Sequence, residues 1–347
     1  IIRYADALGW PSDFRMWQQM LGWLFARLDA LPKTLVPQIL PVFEVWQNAL
    51  RGIPNVVSER IISQAFAWLT SIEDVEHPRR FSSDLGEWGD VGRREALSGL
   101  ASRLRSLVIL SAGSFPNLVT DYLARFSTQE RIHFEVYQDI IGFSATLAQT
   151  HPVELAAFAE AQLIKELPED TQNRLRREAR EHAEEMERLR AKPESELTPL
   201  EQRMLDSPHS LGLIGGVSHW DWEHLAIDDS RGTYFPASPL REPFRSLFQY
   251  SSETALCLTR RLCNHAITAW RQLHRLDYDR RGTPISSEFA FPWGTQTMWG
   301  GTREYLWGRG WWGPQAIKCA LHALDSWAFE QIEAGAEPDE VIRRIIE

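Results

Sequence analysis

Seven consecutive residues, Ser218–His224 (S-H-W-D-W-E-H), hold His219, Asp221, Glu223 and His224. Imidazole and carboxylate are the ligands that zinc or another divalent ion takes. The spacing, however, is not that of a helix-borne HExxH pair, and polar groups satisfied within a loop account for the same residues. Asp228-Asp229 lacks the additional acids of a diphosphate–magnesium motif, so a terpene-cyclase reading has no metal to rest on. Gly300, Gly301, Gly308, Gly310 and Gly313 suggest a phosphate loop, but no GxxxxGK[ST] occurs, and no strand is read ahead of these glycines as a GxGxxG dinucleotide loop needs. His265 and His322 fall in helical patterns and read as hydrogen-bonded core groups. No serine sits in a GxSxG elbow.

What accompanies these glycines is tryptophan. Trp293, Trp299, Trp307, Trp311 and Trp312 alternate with them, and Arg303 and Arg309 lie between. Trp220 and Trp222 occupy the earlier acidic stretch. Tryptophan and arginine are the residues that dominate binding hot spots, because a flat ring beside a donor gives area at little entropic cost. These nine residues are the expected contact set. Against that stands the alternative that the loops fold their own rings onto neighbouring helices. Arg260, Arg261, Arg271, Arg275, Arg280 and Arg281 also lie close along the chain, and read as a solvated face.

The elements that must position them are helical. In Ser252–Arg275 the residues Leu258, Leu262, Ala266, Ala269 and Leu273 recur at helical spacing, Cys263, Ile267 and Trp270 widen the stripe, and Ser251 or Ser252 caps it. Ser238-Pro239 reads as a helix start, which Pro243 pushes later. Upstream, helices are predicted over 12–29, 34–50, from Asn55 or Ser58, over 94–112, from Ser114, over 130–149 and over 152–167. Pro or polar segments such as 77–92 separate them. No alternating β pattern intervenes. Helix pairs of about 40 residues suggest stacked HEAT-like repeats, an α-α superhelix. Residues 168–206 mix Arg and Glu at helical spacing and read as a solvated helix. A boundary falls at 193, giving a helical-repeat region 1–192 and a helical region 193–347 with two irregular loops, 207–237 and 277–313. A final helix from Pro314 to Glu333 is expected to bury Ile317, Leu321, Leu324, Trp327 and Phe329, and Glu337 opens another.

Composition narrows the class. The 347 residues carry a net charge of −10 and fifteen Trp, with 44% hydrophobic and 24% charged residues. Those fractions are ordinary for a globular protein, and the negative charge disfavours general binding to nucleic-acid backbones. Cys257, Cys263 and Cys319 offer no disulfide framework and fit burial in a reducing cytosol. No apolar run reaches membrane-spanning length. The chain opens on Ile1 and ends in DEVIRRIIE, and reads as a piece of a longer protein.

The run YFPASPLREPFRSLF (234–248) is followed by a helix containing NHAITAW. Together with LVPQILPVFEVWQNAL (35–50) and HPVELAAFAEAQLIKELPED (151–170), it resembles the helical C-terminal regions of bacterial STAND-type ATPases linked to antiphage defence. The resemblance implies a nucleotide site elsewhere in the parent chain and no cofactor in this segment. It also implies a sensor or scaffold arm that recognises a foreign protein, with self-association arising through the parent. The expectation is therefore a non-catalytic recognition module using the helical surface and the loop residues Trp220, Trp222, Trp293, Trp299, Arg303, Trp307, Arg309, Trp311 and Trp312. The rival is an α/α-toroid glycosidase-like enzyme. There, two among Asp221, Glu223, Asp228, Asp279 and Glu288 would face each other about 5–10 Å apart as acid and base.

Overall fold

The computed structural model describes residues 14–49, 56–76, 94–127, 132–193, 196–206, 218–228, 237–276, 285–300 and 313–346. The protein is all-α apart from one two-stranded hairpin among these residues. No helix among them is long and apolar enough to cross a membrane. The chain divides into two compact units, 1–162 with 245–255, and 163–244 with 256–347.

In the first unit α1 (Phe14–Phe25), α2 (Val36–Ala49), α3 (Val56–Glu76), α4 (Arg94–Leu110), α5 (Pro116–Ser127), α6 (Phe134–Gly142), α7 (Ser144–Thr150) and α8 (Pro152–Leu163) follow one another. The predicted helix over 130–149 is thus two, broken at Phe143, where φ −100° and ψ 18° leave the helical region. Helix α4 is the hub: it packs along α3 and also meets α2, α5, α6 and α7. The reason lies in its sequence, since Leu97, Leu100, Ala101, Leu104, Val108 and Ile109 are all buried. Those residues cover more of the helix circumference than a single stripe, as a helix with neighbours on several sides requires. Two sets of aromatic rings fill the space around it. Phe25, Phe43 and Trp68 stack at 5.8 and 5.7 Å. Tyr122, Phe126, Phe158 and Tyr137 form a second chain at 5.1, 6.1 and 5.7 Å, mixing edge and stacked contacts.

The second unit contains α9 (Pro168–Ala191), α10 (Pro199–Asp206), α11 (His219–His224), most of α13 (Ser252–Leu276), the hairpin β1 (Ile285–Phe291)–β2 (Gly294–Gly300), α14 (Gln315–Glu333) and α15 (Pro338–Ile346). Between α11 and α13 lies α12 (Phe244–Tyr250), which begins after Pro243 as the proline requires. Ser238 instead closes a turn, its Oγ accepting from the Leu240 N–H. Helix α13 carries the expected stripe, with Leu258, Leu262, Ala266, Ala269, Trp270 and Leu273 buried. Two burial expectations are overturned. Phe329 is exposed on α14, two residues and so about 200° around the helix from the buried Trp327, and Cys257 is exposed on α13. Helix α8 stops at Leu163, four residues short of the predicted end, because Ile164 pairs with Ile227 in an isolated antiparallel bridge.

Helix α9 is solvated along most of its length, burying only Met186 and Leu189 among its described side chains. It begins with Pro168, Glu169 and Asp170 and ends with Arg188 and Arg190, the order that complements the helix dipole. Helix α10 is fixed by a reciprocal cap. The Glu201 carboxylate accepts from the Thr198 N–H at 2.7 Å, and the Thr198 hydroxyl accepts from the Glu201 N–H at 3.3 Å. Lys192 donates to the same carboxylate at 2.8 Å. These donors, Lys192 first and then Thr198, lower the Glu201 pKa to about 2. The folded value lies below the ordinary 4.5, so the stabilisation is complete above that pH and is lost as pH falls toward 2. A side-chain carboxyl NMR titration is expected to give that value for Glu201, and Lys192→Ala to raise it. An unchanged midpoint in the variant would remove the lysine from the account.

Candidate recognition site

The stretch read as the first irregular loop contains a helix. Ser218 caps α11 with a capping box: its Oγ accepts from the Asp221 N–H, and the Asp221 carboxylate accepts from the Ser218 N–H at 2.8 Å. The helix then ends on two residues in the left-handed region, Leu225 at φ 48° and Ala226 at φ 56°. Neither is glycine, and each conformation costs an L-residue about 1–2 kcal/mol. The strain is offset by what the turn achieves. Leu225, Ile227 and Asp228 become buried. The Ala226 carbonyl accepts from the Lys165 N–H at 2.8 Å, the Asp228 N–H donates to the Leu163 carbonyl at 2.6 Å, and Lys165 forms an ion pair with Asp228 at 3.4 Å. His265 then donates from Nε2 to the Lys165 carbonyl at 3.0 Å, which makes it the hydrogen-bonded core histidine its helical setting predicts.

If the left-handed turn is a cost borne for docking, relieving it without touching the contacts should stabilise. Ala226→Gly keeps the backbone hydrogen bond and removes the clashing Cβ. It is expected to raise unfolding stability by up to about 1 kcal/mol in urea melts. A loss of stability would show that the turn is not strained.

Trp222 belongs to this docked segment. Its ring meets His274 edge-on at 4.7 Å, and His274 meets Trp270 at 4.5 Å on the other side. The His274 Nδ1 lies 2.9 Å from the Trp270 carbonyl, which can only accept, so that nitrogen carries the proton. The Nε2 is buried and has no hydrogen-bond partner among the described residues. Trp222 is half-buried, with one side of the ring fastening α11 to the end of α13.

The second stretch read as a loop holds the hairpin, which corrects the reading of 277–313 as irregular throughout. I-S-S-E-F-A-F and G-T-Q-T-M-W-G do alternate, around a Pro292-Trp293 turn. Gly294, at φ 141°, takes a conformation closed to other residues. Seven successive pairs run from Ile285↔Gly300 to Phe291↔Gly294 without a bulge. Alternation sorts the side chains: Ser287, Phe289, Phe291, Gln296 and Met298 share one face, and Ser286, Glu288, Ala290, Thr295 and Thr297 the other. Phe289 is 48% exposed. Trp293 stacks on Phe291 at 4.9 Å with the rings 13° apart, extending the apolar face into the turn. Among the described elements, each strand makes extensive contact only with the other.

Of the nine expected contact residues, the structure therefore places Trp222 in a docking cluster and Trp293 on the hairpin. Trp220 lies in α11 and Trp299 in β2, while Arg303, Trp307, Arg309, Trp311 and Trp312 lie outside the described residues. Phe289 was missed, although the F-A-F alternation beside a Pro-Trp-Gly turn signals it. Two carboxylates of the rival reading have local roles, and Glu223 lies half-buried in α11. Asp221 caps α11, Asp228 is buried against Lys165, Glu288 stands exposed opposite Thr297, and Asp279 lies outside the described residues. No group of three or more His, Cys, Asp or Glu suited to a metal lies among the described residues.

A second polar feature lies in the first unit. Arg105 reaches Tyr122 Oη at 2.9 Å and Glu73 Oε1 at 3.1 Å and also pairs with Asp139, while Tyr122 donates to Glu73 at 2.8 Å. Arg125 stands 3.6 Å from the other Glu73 oxygen. Burial raises the Glu73 pKa against the pull of Arg105, the Tyr122 hydroxyl and Arg125. Burial, followed by the Glu73 charge, drives the Tyr122 phenol well above its ordinary value. Two acids and two arginines balance in formal charge, a structural knot closed around Arg105 and Glu73 and open to solvent only at Asp139 and Arg125. A separate cavity of about 280 Å³ in the same unit is lined by Leu28, Leu31, Pro32, Lys33, Val36 and Trp68 among others, and no acid borders it among the described residues.

The chain matches no protein-family model, no curated protein and no solved structure.

Proposed function

We propose that this chain is a non-catalytic helical recognition module of a larger protein, and that its hairpin is the contact element. The observation that carries the reading is the hairpin's apolar face, with Phe289 half in solvent and Trp293 half-buried and stacked at the turn, on a ribbon whose strands make extensive contact only with each other among the described elements. An exposed phenyl ring beside a partly open tryptophan is the composition of a binding hot spot. The local roles of Asp221 and Asp228 also fit a module that carries no acid–base pair of its own. The helices then serve as scaffold, stacked as HEAT-like repeats into a superhelix. The resemblance to STAND-type defence ATPases makes the partner a foreign protein met in the bacterial cytoplasm, and gives catalysis to another domain of the parent.

The test is capture of a phage-encoded protein from infected cells by the intact chain, beside a Phe289→Ser/Trp293→Ala variant and a Trp307→Ala/Trp311→Ala variant. The hairpin variant is expected to lose about thirty-fold or more in affinity, the effect of a hot spot worth about 2 kcal/mol, with an unchanged thermal melt. Equal capture by that variant would remove the hairpin as the contact. Loss in the 307/311 variant would extend the surface to the following segment.

A further inference from the structure

We propose that two copies of this chain join edge to edge through β2, forming a four-stranded antiparallel sheet with its two-fold axis at Thr297. An isolated two-stranded ribbon is marginal in water, and three or more strands with an apolar face are needed for independent stability. Proteins that keep a ribbon single guard its edges with lysine, proline, bulges or inward charges. This one has none of the first three: the strands ISSEFAF and GTQTMWG contain no Lys and no Pro, and their register is unbroken over seven pairs. The only charge in either strand is Glu288.

That charge decides which edge pairs. A two-fold antiparallel union of β1 with β1 about its middle sets Glu288 directly against Glu288, and like charges in opposite positions repel. The same union of β2 with β2 is uncharged. It sets Thr297 against Thr297, a favourable cross-strand pair, and Gln296 against Met298. Pairing β1 of one copy with β2 of the next is head-to-tail and leaves open edges that continue into fibres, whereas the β2 union closes at two copies. An axis perpendicular to the sheet keeps like faces together. Phe289, Phe291 and Met298 of both copies then lie on one side, doubling the apolar face, while Glu288 remains on the outer strands where it guards the remaining edges. This inference stands on the ribbon's edge and does not depend on a foreign protein using its face.

Two measurements on the full chain test it. In sedimentation velocity over a concentration series the chain is expected to show a monomer–dimer equilibrium. Thr297→Pro should move its midpoint at least ten-fold to higher concentration, and Glu288→Gln should leave it in place. In a Cys257→Ser background, which removes the exposed native thiol, Thr297→Cys is expected to be joined into a covalent dimer by a short bis-maleimide, and Glu288→Cys is not. The cross-link keeps the test sound should proline disturb the hairpin itself. A chain that is monomeric at every concentration, a dimer indifferent to Thr297→Pro, or equal cross-linking at 288 and 297 overturns the assignment. Monomeric chain whose phage-protein capture is lost in Thr297→Pro gives the edge to a foreign strand, and also overturns it.

Discussion

Arg105→Met is expected to lower unfolding stability by about 3–5 kcal/mol, one of the two largest effects of a single substitution in this chain. The side chain of Arg105 is 2% exposed and that of Glu73 is 8% exposed, so water cannot replace what the substitution removes. Methionine retains much of the volume, so the loss reports electrostatics more than cavity formation. With the guanidinium gone, Glu73 retains the Tyr122 hydroxyl and Arg125, and Tyr122 loses a donor. Four helices, α3, α4, α5 and α6, meet at this point. The sign of the pH dependence follows from burial. Glu73 already has a folded pKa above 4.5, so its proton binds more tightly in the native state, a contribution present at low pH and lost as pH rises through the folded value. Removing Arg105 takes away a charge that lowers that pKa. The Met variant should therefore be most damaged near neutrality and recover part of its loss on acidification. Urea melts over a pH series, with Glu73→Gln and the Arg105→Met/Glu73→Gln double variant, form a cycle in which the double loss is smaller than the sum of the singles. A single-variant loss below about 1 kcal/mol would reduce the knot to the worth of a surface pair.

How far the sequence discloses this molecule depends on the range of the forces involved. Helix α13 was legible because its stripe is local: Leu258 to Leu273 are all set by neighbours three and four residues away. The late start of α12 was legible for the same reason, since Pro243 acts on its own turn. The hairpin was concealed by composition. Its alternating residues are diluted with Ser, Thr and Gly, and a ribbon with little to bury leaves a weak period-two signal. The Arg105 knot was invisible, because Glu73, Arg105, Tyr122 and Asp139 come from four helices and no spacing along the chain unites them. The docking of Trp222 was half legible. Ser218 and Asp221 sit three apart as a capping box should, yet the left-handed Leu225-Ala226 turn contradicts residue preference and is imposed by contacts with 163–165. Phe329 failed in the opposite sense: its bulk and apolarity suggested burial, although two residues on from Trp327 it stands about 200° around α14, on the exposed side.

The second large effect separates holding from recognising. Trp270→Ala is expected to cost about 3–5 kcal/mol, the usual range for truncating a buried tryptophan. It should do so without melting α13, which keeps the rest of its buried stripe, Leu258, Leu262, Ala266, Ala269 and Leu273. Its distinctive consequence lies at α11. Trp270 supports His274, and His274 supports Trp222, so removing the first ring leaves the edge contact of the last without backing. Limited proteolysis is then expected to cut within 218–228 in the variant and not in the parent, before global unfolding. Trp222→Ala, at a half-buried ring, should give the same cuts for a smaller loss of about 1–2 kcal/mol. If Trp222→Ala instead leaves both melt and cleavage unchanged while weakening partner capture, Trp222 is a contact residue as its sequence setting suggests, and the ring cluster does not fasten α11. If it changes melt and cleavage first, recognition by this chain falls to the hairpin, where Phe289 and Trp293 stand on a ribbon that can be altered without loosening the helices beneath.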